Sequence, residues 1–456
     1  MNLHKIEFEM KHHPGLDPGF VPIQKFNTAF LKTASIPFSV ALERQDCEIS
    51  TKATFIHDTD EFFEADWHYI ERLVKTLLWQ KGGFRIFVKG SERIFKCLKE
   101  AYSPDGLRSF DAELMSRLYR SNFEVIRCDT LPSPKESAKS LGRNFSGNRI
   151  GFDAGGSDYK VAAMINGETV YTNEVVWSPK TNSDPEYHFS NIVTGLKSAM
   201  SHMPNVDAIG ISSAGIVANN HILYAHLFGK VSPEDFNSKC RDIYIRAVNE
   251  IGSNIPFELA NDGDVAALAG SISLNRNNLL GVAMGTSFAG GFVNEDGNIM
   301  DWLNEIAFIP VDLSPTAALE TWTGDFGVPE QYFCQNAVVR LADAAGISLD
   351  SHKTPAEKLK AVQALLEDGH EGADSIFRTI GCYLGYSSAY FHDIYGATSI
   401  LILGRVMSGK GGNIILEKAL EVLADEYPDI QLELVLPDEK TRRLGQSVIA
   451  ASLPKI

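Results

Sequence analysis

The stretch IGFDAGGSDYK at residues 150–160 constrains the fold of this chain more than any other. Its pattern is typical of a buried strand that ends in an acidic, glycine-rich turn and continues into a second strand. Gly155 and Gly156 permit positive φ and close approach, so backbone N–H groups and the Ser157 hydroxyl are able to meet phosphate oxygens. Asp153 would then face a hydrated cation. A plain β-hairpin turn is the alternative that this stretch alone leaves open.

Composition excludes several classes of protein. With 456 residues, of which 44% are hydrophobic, the chain should form two or three α/β units. It has 42 basic and 58 acidic residues, a net charge of −16, so we expect no nucleic-acid partner. Six scattered cysteines without metal-binding spacing favour reduced thiols. No signal peptide or membrane-length apolar segment is evident, so we expect a cytoplasmic protein without membrane contact.

The order of strands and turns after a polar linker at 131–148 indicates two similar α/β domains. Three strands and a helix over 186–203 follow the linker. A later strand, IPFELAND, ends at Asn261 and Asp262 just before the helix VAALAGSIS, a position where α/β folds usually bind ligands. GVAMGTSFAGGFV repeats the strand, glycine turn and strand of the first motif, which indicates an internal duplication.

Residues 1–130 show a different pattern, without glycine-rich turns. The segment IPFSVALERQDCEISTKATFI predicts a hairpin, and residues 68–79 predict a helix. FRIFVKG, SERIFKCLKEAY and FEVIRCD then predict a strand, a helix and a strand. We interpret this part as an appended α/β domain.

Four glycine-rich or acidic strand ends in this order make the chain from about residue 149 onward resemble the ROK family of sugar kinases and sugar-responsive repressors. The resemblance implies an α/β fold with two ribonuclease H-like domains of the actin-like ATPase type around a cleft. The predicted domain ranges are 1–130 for the appended domain, 131–148 for the linker, 149–258 plus 441–456 for domain I, and 259–440 for domain II.

Three motifs are similar to the nucleotide-binding motifs of the family. DAGGS resembles the first phosphate loop, MGTSFAGG the second phosphate loop, and LGR at 403–405 the adenosine-binding motif. Ser287, Ala289 and Arg405 stand where the family usually has glycine. The resemblance implies ATP and Mg²⁺ as cofactors, with Asp153 holding Mg²⁺ through water. The implied nucleotide site consists of Asp153, Gly155, Gly156, Ser157, Lys160, Gly285, Thr286, Ser287, Gly404 and Arg405.

The run LANDGDVAALAG resembles the catalytic Asn-Asp motif of the family and implies Asn261 as a sugar ligand and Asp262 as the general base. A carboxylate there is able to accept the proton of a sugar hydroxyl as the oxygen attacks the γ-phosphorus. An alternative role for Asp262 is that of a helix N-cap. The resemblance also implies sugar contacts at Gly215, Glu305 and Glu330.

ROK proteins usually hold a structural zinc ion with one histidine and three cysteines, and this chain lacks all four. Aligned by glycines and a glutamate, the corresponding residues are Phe308, Thr321, Thr323 and Val328. Because a tetrahedral zinc site needs four nitrogen or sulfur donors, we predict no zinc. We expect apolar packing through Phe308 and Val328 to hold this loop instead.

The resemblance predicts an ATP-dependent sugar kinase of the hexokinase or glucokinase type, with a homodimer suggested by analogy. A sugar-binding regulator without turnover is the alternative, because Ser287, Ala289 and Arg405 depart from the family pattern. A DNA-binding repressor is not favoured, since residues 1–148 show no basic recognition helix. A chaperone or filament ATPase of the same superfamily fits less well with the Asn-Asp pair. The sequence does not specify the sugar or the hydroxyl.

Overall fold

A computed structural model describes residues 1–437 and 445–456. Its strands are β1 Asn2–Leu3, β2 Ile6–Glu7, β3 Ile36–Glu43, β4 Ile49–Ile56, β5 Arg85–Lys89, β6 Glu124–Arg127, β7 Ala138–Lys139, β8 Asn148–Ala154, β9 Asp158–Ile165, β10 Glu168–Val176, β11 Ala208–Ser213, β12 Ile216–Ala218, β13 His221–Tyr224, β14 Phe257–Asn261, β15 Leu279–Met284, β16 Phe288–Val293, β17 Ile299–Met300, β18 Ser399–Leu403 and β19 Glu433–Val435. The helices are α1 Ile23–Leu31, α2 Phe63–Lys81, α3 Glu92–Ala101, α4 Ser109–Tyr119, α5 Pro185–Met200, α6 Pro233–Asp235, α7 Ile243–Asn249, α8 Asp262–Leu274, α9 Gln335–Ala342, α10 Pro355–Glu367, α11 Glu371–Tyr395, α12 Gly409–Glu426 and α13 Gln446–Ala451.

The chain forms two compact units. The first unit contains residues 1–137, 282–290 and 302–435, and the second contains residues 138–281, 291–301 and 436–456 as far as they are described. Residues 1–137 thus lie in the same unit as residues 282–290 and 302–435. The domain ranges given above stay predictions, and residues 438–444, which include the start of the predicted segment 441–456, lie outside the described residues.

The second unit is built on a five-stranded sheet in the order β10-β9-β8-β11-β14. Strands β8, β9 and β10 are antiparallel, as their short connecting turns require, whereas β11 runs parallel to both β8 and β14. Ser212 is paired with Asp153 of β8, and Ser213 with Asn261 of β14. The register thus places the carboxyl ends of three parallel strands, with their polar residues, at one edge of the sheet.

Helix α13 lies directly against the central strands β8 and β11. A Cβ added at Gly151 would lie 1.7 Å from the carbonyl oxygen of Ser447, and one added at Gly210 would lie 1.6 Å from that of Ala450. The strands otherwise carry the apolar core, with Phe152 and Ile211 fully buried. The absence of side chains at these two glycines is what allows the C-terminal helix to approach the sheet.

The first unit contains a four-stranded sheet in the order β4-β3-β5-β6. The predicted hairpin is confirmed as the antiparallel pair β3 and β4, and the predicted strands and helices between residues 68 and 127 correspond to α2, β5, α3 and β6. Helix α2 is buried on nearly all sides from Tyr69 to Gln80, including polar side chains. A helix of this kind is surrounded by other elements of its unit.

The second glycine turn joins β15 to β16, and the chain crosses between the two units inside these strands. In the first unit, β18 pairs in parallel with β19 and lies next to β15 in the sheet order. In the second unit, β16 and β17 pair through Val293 and Ile299. The predicted linker is partly ordered, because Lys135 forms a bridge with Ile49 and β7 pairs with β17.

Within residues 1–437 and 445–456, no helix combines the length and the apolar character that crossing a membrane requires.

Replacing Gly210 by alanine tests the contact between α13 and the sheet. The new methyl group would overlap the backbone of Ala450, which has no flexible side chain to move aside. We expect Gly210→Ala to lower the free energy of unfolding by about 3 kcal/mol or more in urea titrations. Gly15→Ala is the control, because a Cβ there meets nothing within 4 Å. Equal stability of the two variants would contradict the close packing.

Candidate active site

Asp153, at the carboxyl end of β8, is a buried carboxyl group with a raised pKa. Its side chain is 4% exposed and accepts a hydrogen bond of 2.7 Å from the Ser212 hydroxyl. Burial raises the pKa of Asp153 from 3.8 to about 6, and the negative charge of Asp262 contributes in the same direction. Two carboxylates that repel each other at a strand edge form a place where a cation would be stabilised.

Asn261 is the N-cap of α8, and its side-chain amide is fixed at both ends. Its Oδ1 accepts a 2.7 Å hydrogen bond from the N–H of Gly263, and its Nδ2 donates a 2.8 Å hydrogen bond to the carbonyl oxygen of Gly215. Gly215 has φ +122°, and a Cβ there would lie 2.5 Å from the Cβ of Ala225. The structure therefore brings the predicted sugar ligands Asn261 and Gly215 together.

Asp262 is the first residue of α8 rather than its cap, since the capping residue is Asn261. Its Oδ1 accepts a 3.0 Å hydrogen bond from the N–H of Gly263. Burial raises the pKa of the Asp262 carboxyl, and this backbone hydrogen bond opposes the shift. From α13, Gln446 donates a 3.3 Å hydrogen bond to the Asp262 carbonyl oxygen. A carboxylate with a raised pKa is a stronger base than an ordinary one.

Crowding requires glycine at position 155 of the first glycine-rich turn, whereas at position 156 only the end of a flexible lysine side chain lies close. Neither Gly155 nor Gly156 uses the positive φ that glycine permits. A Cβ at Gly155 would lie 2.7 Å from the carbonyl oxygen of Asp158, and one at Gly156 would lie 2.6 Å from Cε of Lys180. The Trp177 indole N–H donates a 2.8 Å hydrogen bond to the Gly155 carbonyl and holds the turn in place.

The polar side chains of this turn converge on Asp158, which the sequence analysis did not single out. The Ser157 hydroxyl donates to one carboxylate oxygen and Lys160 Nζ to the other, both at 2.8 Å. The ion pair raises the pKa of Lys160 although burial opposes it. Lys180, also missed, lies beside Gly156 in the short turn Pro179–Thr181, and no sequence motif identifies it.

The second glycine-rich turn, between β15 and β16, lies in the first unit. The N–H of Gly285 donates a 3.2 Å hydrogen bond to the Ser287 carbonyl, and the Gly285 carbonyl accepts one of 3.0 Å from the N–H of Gln335. The side chains of Thr286 and Ser287 are exposed. A Cβ at Gly285 would lie 3.6 Å from the carbonyl oxygen of Ser287, which is an ordinary contact, so this turn is less crowded than the first one.

Gly404 packs against the end of β15, so the structure brings the LGR motif next to the second glycine-rich turn. Gly404 has φ +107°, and a Cβ there would lie 2.3 Å from the carbonyl oxygen of Met284. Arg405 begins the short turn Arg405–Met407, and its side chain is exposed. Its backbone carbonyl accepts a 3.1 Å hydrogen bond from the Gln363 side chain.

Glu330 supports the second glycine-rich turn. Its Oε2 accepts a 2.8 Å hydrogen bond from the N–H of Phe288, the residue after Ser287. Burial raises the pKa of Glu330 to about 7, and the Phe288 hydrogen bond opposes this shift. The short turn Pro329–Gln331, which contains Glu330, contacts the turn Ile306–Phe308 that follows Glu305. Glu305 and Glu330 therefore lie in neighbouring turns of the first unit.

The loop that aligns with the zinc motif packs through aromatic and apolar side chains, as expected. The ring of Phe308 lies 4.8 Å from the ring of Trp79 and 4.9 Å from that of Trp322. Val328 is fully buried. Trp79 belongs to α2, so the N-terminal part of the chain supplies one wall of this packing, which the sequence did not predict.

A buried charge network also joins this loop to α2. Asp325 is 4% exposed and contacts Arg72, Lys75 and Arg108 at 3.2, 3.3 and 3.0 Å. Burial alone would raise the pKa of Asp325, but the charges of Arg72 and Lys75 outweigh it and hold this pKa below its usual range. Glu71 and Asp111 complete a network with three buried cations and three buried carboxylates.

Comparison with known proteins identifies the fold of the larger part of the chain. The model of the ROK family matches residues 149–443. The structure of a ROK hexokinase from Thermus thermophilus is 16% identical, with a TM-score of 0.51 over 67% of this chain and 96% of that chain. A ROK family protein from Streptococcus pneumoniae TIGR4, solved in complex with sucrose, is 14% identical, with a TM-score of 0.51 over 67% and 96% of the two chains.

A ROK family transcriptional regulator, described as a homolog of the E. coli MLC protein, is also similar. It is 17% identical, with a TM-score of 0.50 over 68% of this chain and 79% of that chain. At these identities the likeness shows the fold, and the predicted fold class, a two-domain actin-like ATPase with additional N-terminal chain, is confirmed. Comparison with curated protein sequences finds no match.

Replacing Asp153 by asparagine should stabilise the protein at neutral pH. Because the pKa of Asp153 is about 6 in the folded protein and 3.8 ordinarily, its ionisation reduces stability progressively as pH rises from about 4 to 6. Asparagine keeps an acceptor for Ser212 and carries no charge. We expect Asp153→Asn to raise the free energy of unfolding by about 2–3 kcal/mol at pH 7.5 and much less at pH 4.5, measured in urea. The exposed control Asp296→Asn should show no such pH-dependent difference.

Replacing Asp325 by asparagine should have the opposite effect. It would leave three buried cations with only two carboxylates, and such a loss costs about 3–5 kcal/mol of unfolding free energy. Since the pKa of Asp325 is lowered by its partners, its contribution is present above the ordinary carboxyl pKa and is lost as pH falls through the folded value. Urea titration of Asp325→Asn beside the exposed control Asp105→Asn measures this, and equal loss in both variants would refute the role of the network.

Proposed function

Because the chain belongs to the ROK family, we propose that it is an ATP-dependent sugar kinase that transfers the γ-phosphate of ATP to a hydroxyl group of a hexose or a related sugar. The main support is the arrangement of Asn261 and Asp262 at the end of β14. There a fixed amide lies next to a carboxyl group whose pKa is raised by burial. The hexokinase among the structural neighbours has the same family fold.

In this proposal, Asp262 accepts the proton of the attacking sugar hydroxyl. Its raised pKa increases its basicity, and the Gly263 N–H keeps the carboxylate oriented. Asn261 uses one N–H of Nδ2 for Gly215 and one lone pair of Oδ1 for Gly263. Its second N–H and second lone pair would bind sugar hydroxyl groups. The family resemblance also implies sugar contacts at Glu305 and Glu330, and Glu330 would position the turn at Phe288.

The residues of the second unit fit a hydrated Mg²⁺ ion and a phosphate group. Burial and the negative charge of Asp262 both disfavour the ionised form of Asp153, and a bound cation would offset both effects. Gly155 has no room for a side chain, and Lys180 lies beside Gly156. When bound, Mg²⁺ neutralises negative charge on the phosphates. Asp153 would hold it through water, and Ser157 and Lys160 would face the phosphates.

The family resemblance implies further nucleotide contacts. Gly285, Thr286 and Ser287 would offer backbone N–H groups and hydroxyl groups to phosphate, and Gly404 and Arg405 would lie at the adenosine. We propose that no zinc is bound, since Phe308 and Val328 align with zinc ligands of the family and form apolar packing instead. A cytoplasmic location, where ATP is produced, and a homodimer are further parts of the proposal.

A sugar-binding regulator without turnover is the second candidate. It is favoured by Ser287 and Ala289, which replace glycines of the second phosphate loop, and by the exposed side chain of Arg405 in the LGR motif. One structural neighbour is a transcriptional regulator with the same fold. In this case the chain would bind a sugar without releasing ADP.

Asp262→Asn separates the two functions. We expect the native protein to release ADP from ATP in the presence of at least one sugar of a hexose panel, in an assay coupled to ADP formation. Loss of the base should reduce kcat about 10²–10⁴-fold, because general base catalysis contributes about that much. Sugar binding, measured by calorimetry, should be much less affected.

The exposed Asp296→Asn variant is the control for the loss of one carboxylate and should keep native kcat. If the native protein binds a sugar without releasing ADP, the kinase proposal is refuted and the regulator proposal is supported. Full activity of Asp262→Asn would refute the role of Asp262 as the base.

A further inference from the structure

The first unit contains a cleft of about 560 Å³ that none of the proposed site residues lines. Helices α1, α2 and α11 and strand β4 form its walls. The apolar part comes from Leu31, Phe55, Tyr69, Leu73 and Leu77. The volume lies within the range of small-molecule sites, which combine apolar walls with a few polar groups.

Lysine side chains outnumber carboxylates in the lining of this cleft. Lys32, Lys52 and Lys81 line it with one carboxylate, Asp393, although the chain as a whole has a net charge of −16. Burial lowers the pKa of Lys81 to about 7, and the positive charges of Arg44 and Lys52 add to this effect. The carboxylate of Glu136, 3.6 Å from Lys81 Nζ, opposes it. A bound anion would relieve the repulsion between these cations.

Two glutamine residues that line the cleft each have a buried amide oxygen without a hydrogen-bond partner among the described residues. Gln80 is fully buried, and its Nε2 donates a 2.8 Å hydrogen bond to the Ile394 carbonyl, which leaves Oε1 as an unpaired acceptor. Gln24 Oε1, on α1, is also buried and unpaired. Buried acceptors are stabilised by a donor, and hydroxyl groups of a ligand are suitable donors.

We propose that this cleft binds a small hydroxylated organic anion of the size of a monosaccharide phosphate. The anionic group faces Lys52 and Lys81, and ligand hydroxyl groups donate hydrogen bonds to Gln24 and Gln80. The apolar wall at Tyr69 and Leu73 contacts the carbon skeleton. This site is separate from the residues assigned to catalysis, and the proposal does not require kinase activity.

The end of α2 connects the cleft to the candidate active site within the first unit. The carbonyl oxygens of Trp79, Gln80 and Lys81 accept hydrogen bonds of 3.0, 2.9 and 3.2 Å from the N–H groups of Glu305, Asn304 and Leu303, respectively. Gln80 and Lys81 thus line the cleft with their side chains and hold the segment 303–305 with their backbones. A ligand that orders this end of α2 would order the segment as well. The regulatory meaning of that coupling rests on the proposed role of Glu305.

Binding of glucose 6-phosphate to the full-length, nucleotide-free protein tests the site by calorimetry. We expect saturable binding that weakens at least tenfold in Lys52→Gln and in Lys81→Gln. The exposed Lys353→Gln variant should bind as the native protein does. Lys52 is half-buried on a strand, so its substitution keeps the proposal testable if the Lys81 variant fails to fold.

Several outcomes would overturn the proposal. One is the absence of saturable binding, and another is binding that persists in both lysine variants. Binding that is lost in Asn261→Ala but kept in Lys52→Gln would place the probe at the candidate active site instead. Equal affinity for inorganic phosphate would refute the role of the ligand hydroxyl groups. All these measurements are independent of turnover, so they remain decisive even if the kinase proposal fails.

Hydrogen exchange tests the coupling. With glucose 6-phosphate bound, the amides of residues 303–305 should exchange more slowly, because their acceptors at the end of α2 are held more firmly. The same ligand should cause no such protection in Lys52→Gln. Unchanged exchange on saturation of the native protein would refute the coupling.

Discussion

The buried ion pairs of Asp325 are the constraint on which much of the first unit depends. Arg72, Lys75 and Arg108 would be costly to bury without carboxylates, and Asp325 brings one from a loop more than two hundred residues later in the chain. The same loop region contributes Phe308 and Trp322, which pack on Trp79 of α2. Charge pairing and aromatic packing thus fix the turns of Glu305 and Glu330 against the N-terminal part of the chain.

In the second unit, the strand register positions the residues of the candidate site. Parallel pairing of β11 with β8 and β14 places Ser212 beside Asp153 and Ser213 beside Asn261 without any contribution from loops. The carboxyl groups of Asp153 and Asp262 therefore lie on rigid elements, and burial raises their pKa values. Precise placement and an unfavourable charge are present together, which is common where a site is organised for a ligand and not for stability.

The sequence predicted the features that depend on local patterns. Alternating apolar residues and glycine turns identified β8, β9, β15 and β16, and the Asn-Asp pair was correctly placed at the start of α8. The contacts of Lys180, Gln446 and Asp325 were missed because their partners are distant in sequence and no periodicity marks them. Of the two properties that glycine permits at positions 155 and 156, positive φ is not used, whereas close approach is present at Gly155, where the carbonyl oxygen of Asp158 leaves no room for a Cβ.

The hydrogen bonds between the end of α2 and residues 303–305 bear on how such a protein is able to change during evolution. Residues 1–148 precede the region that matches the family, so they resemble a module added to the family fold. Yet α2 supplies acceptors for three consecutive backbone N–H groups, a wall for Phe308 and partners for Asp325. The added segment has become part of the scaffold itself, and a shortened chain of family length would lack the surface that shapes its own loops.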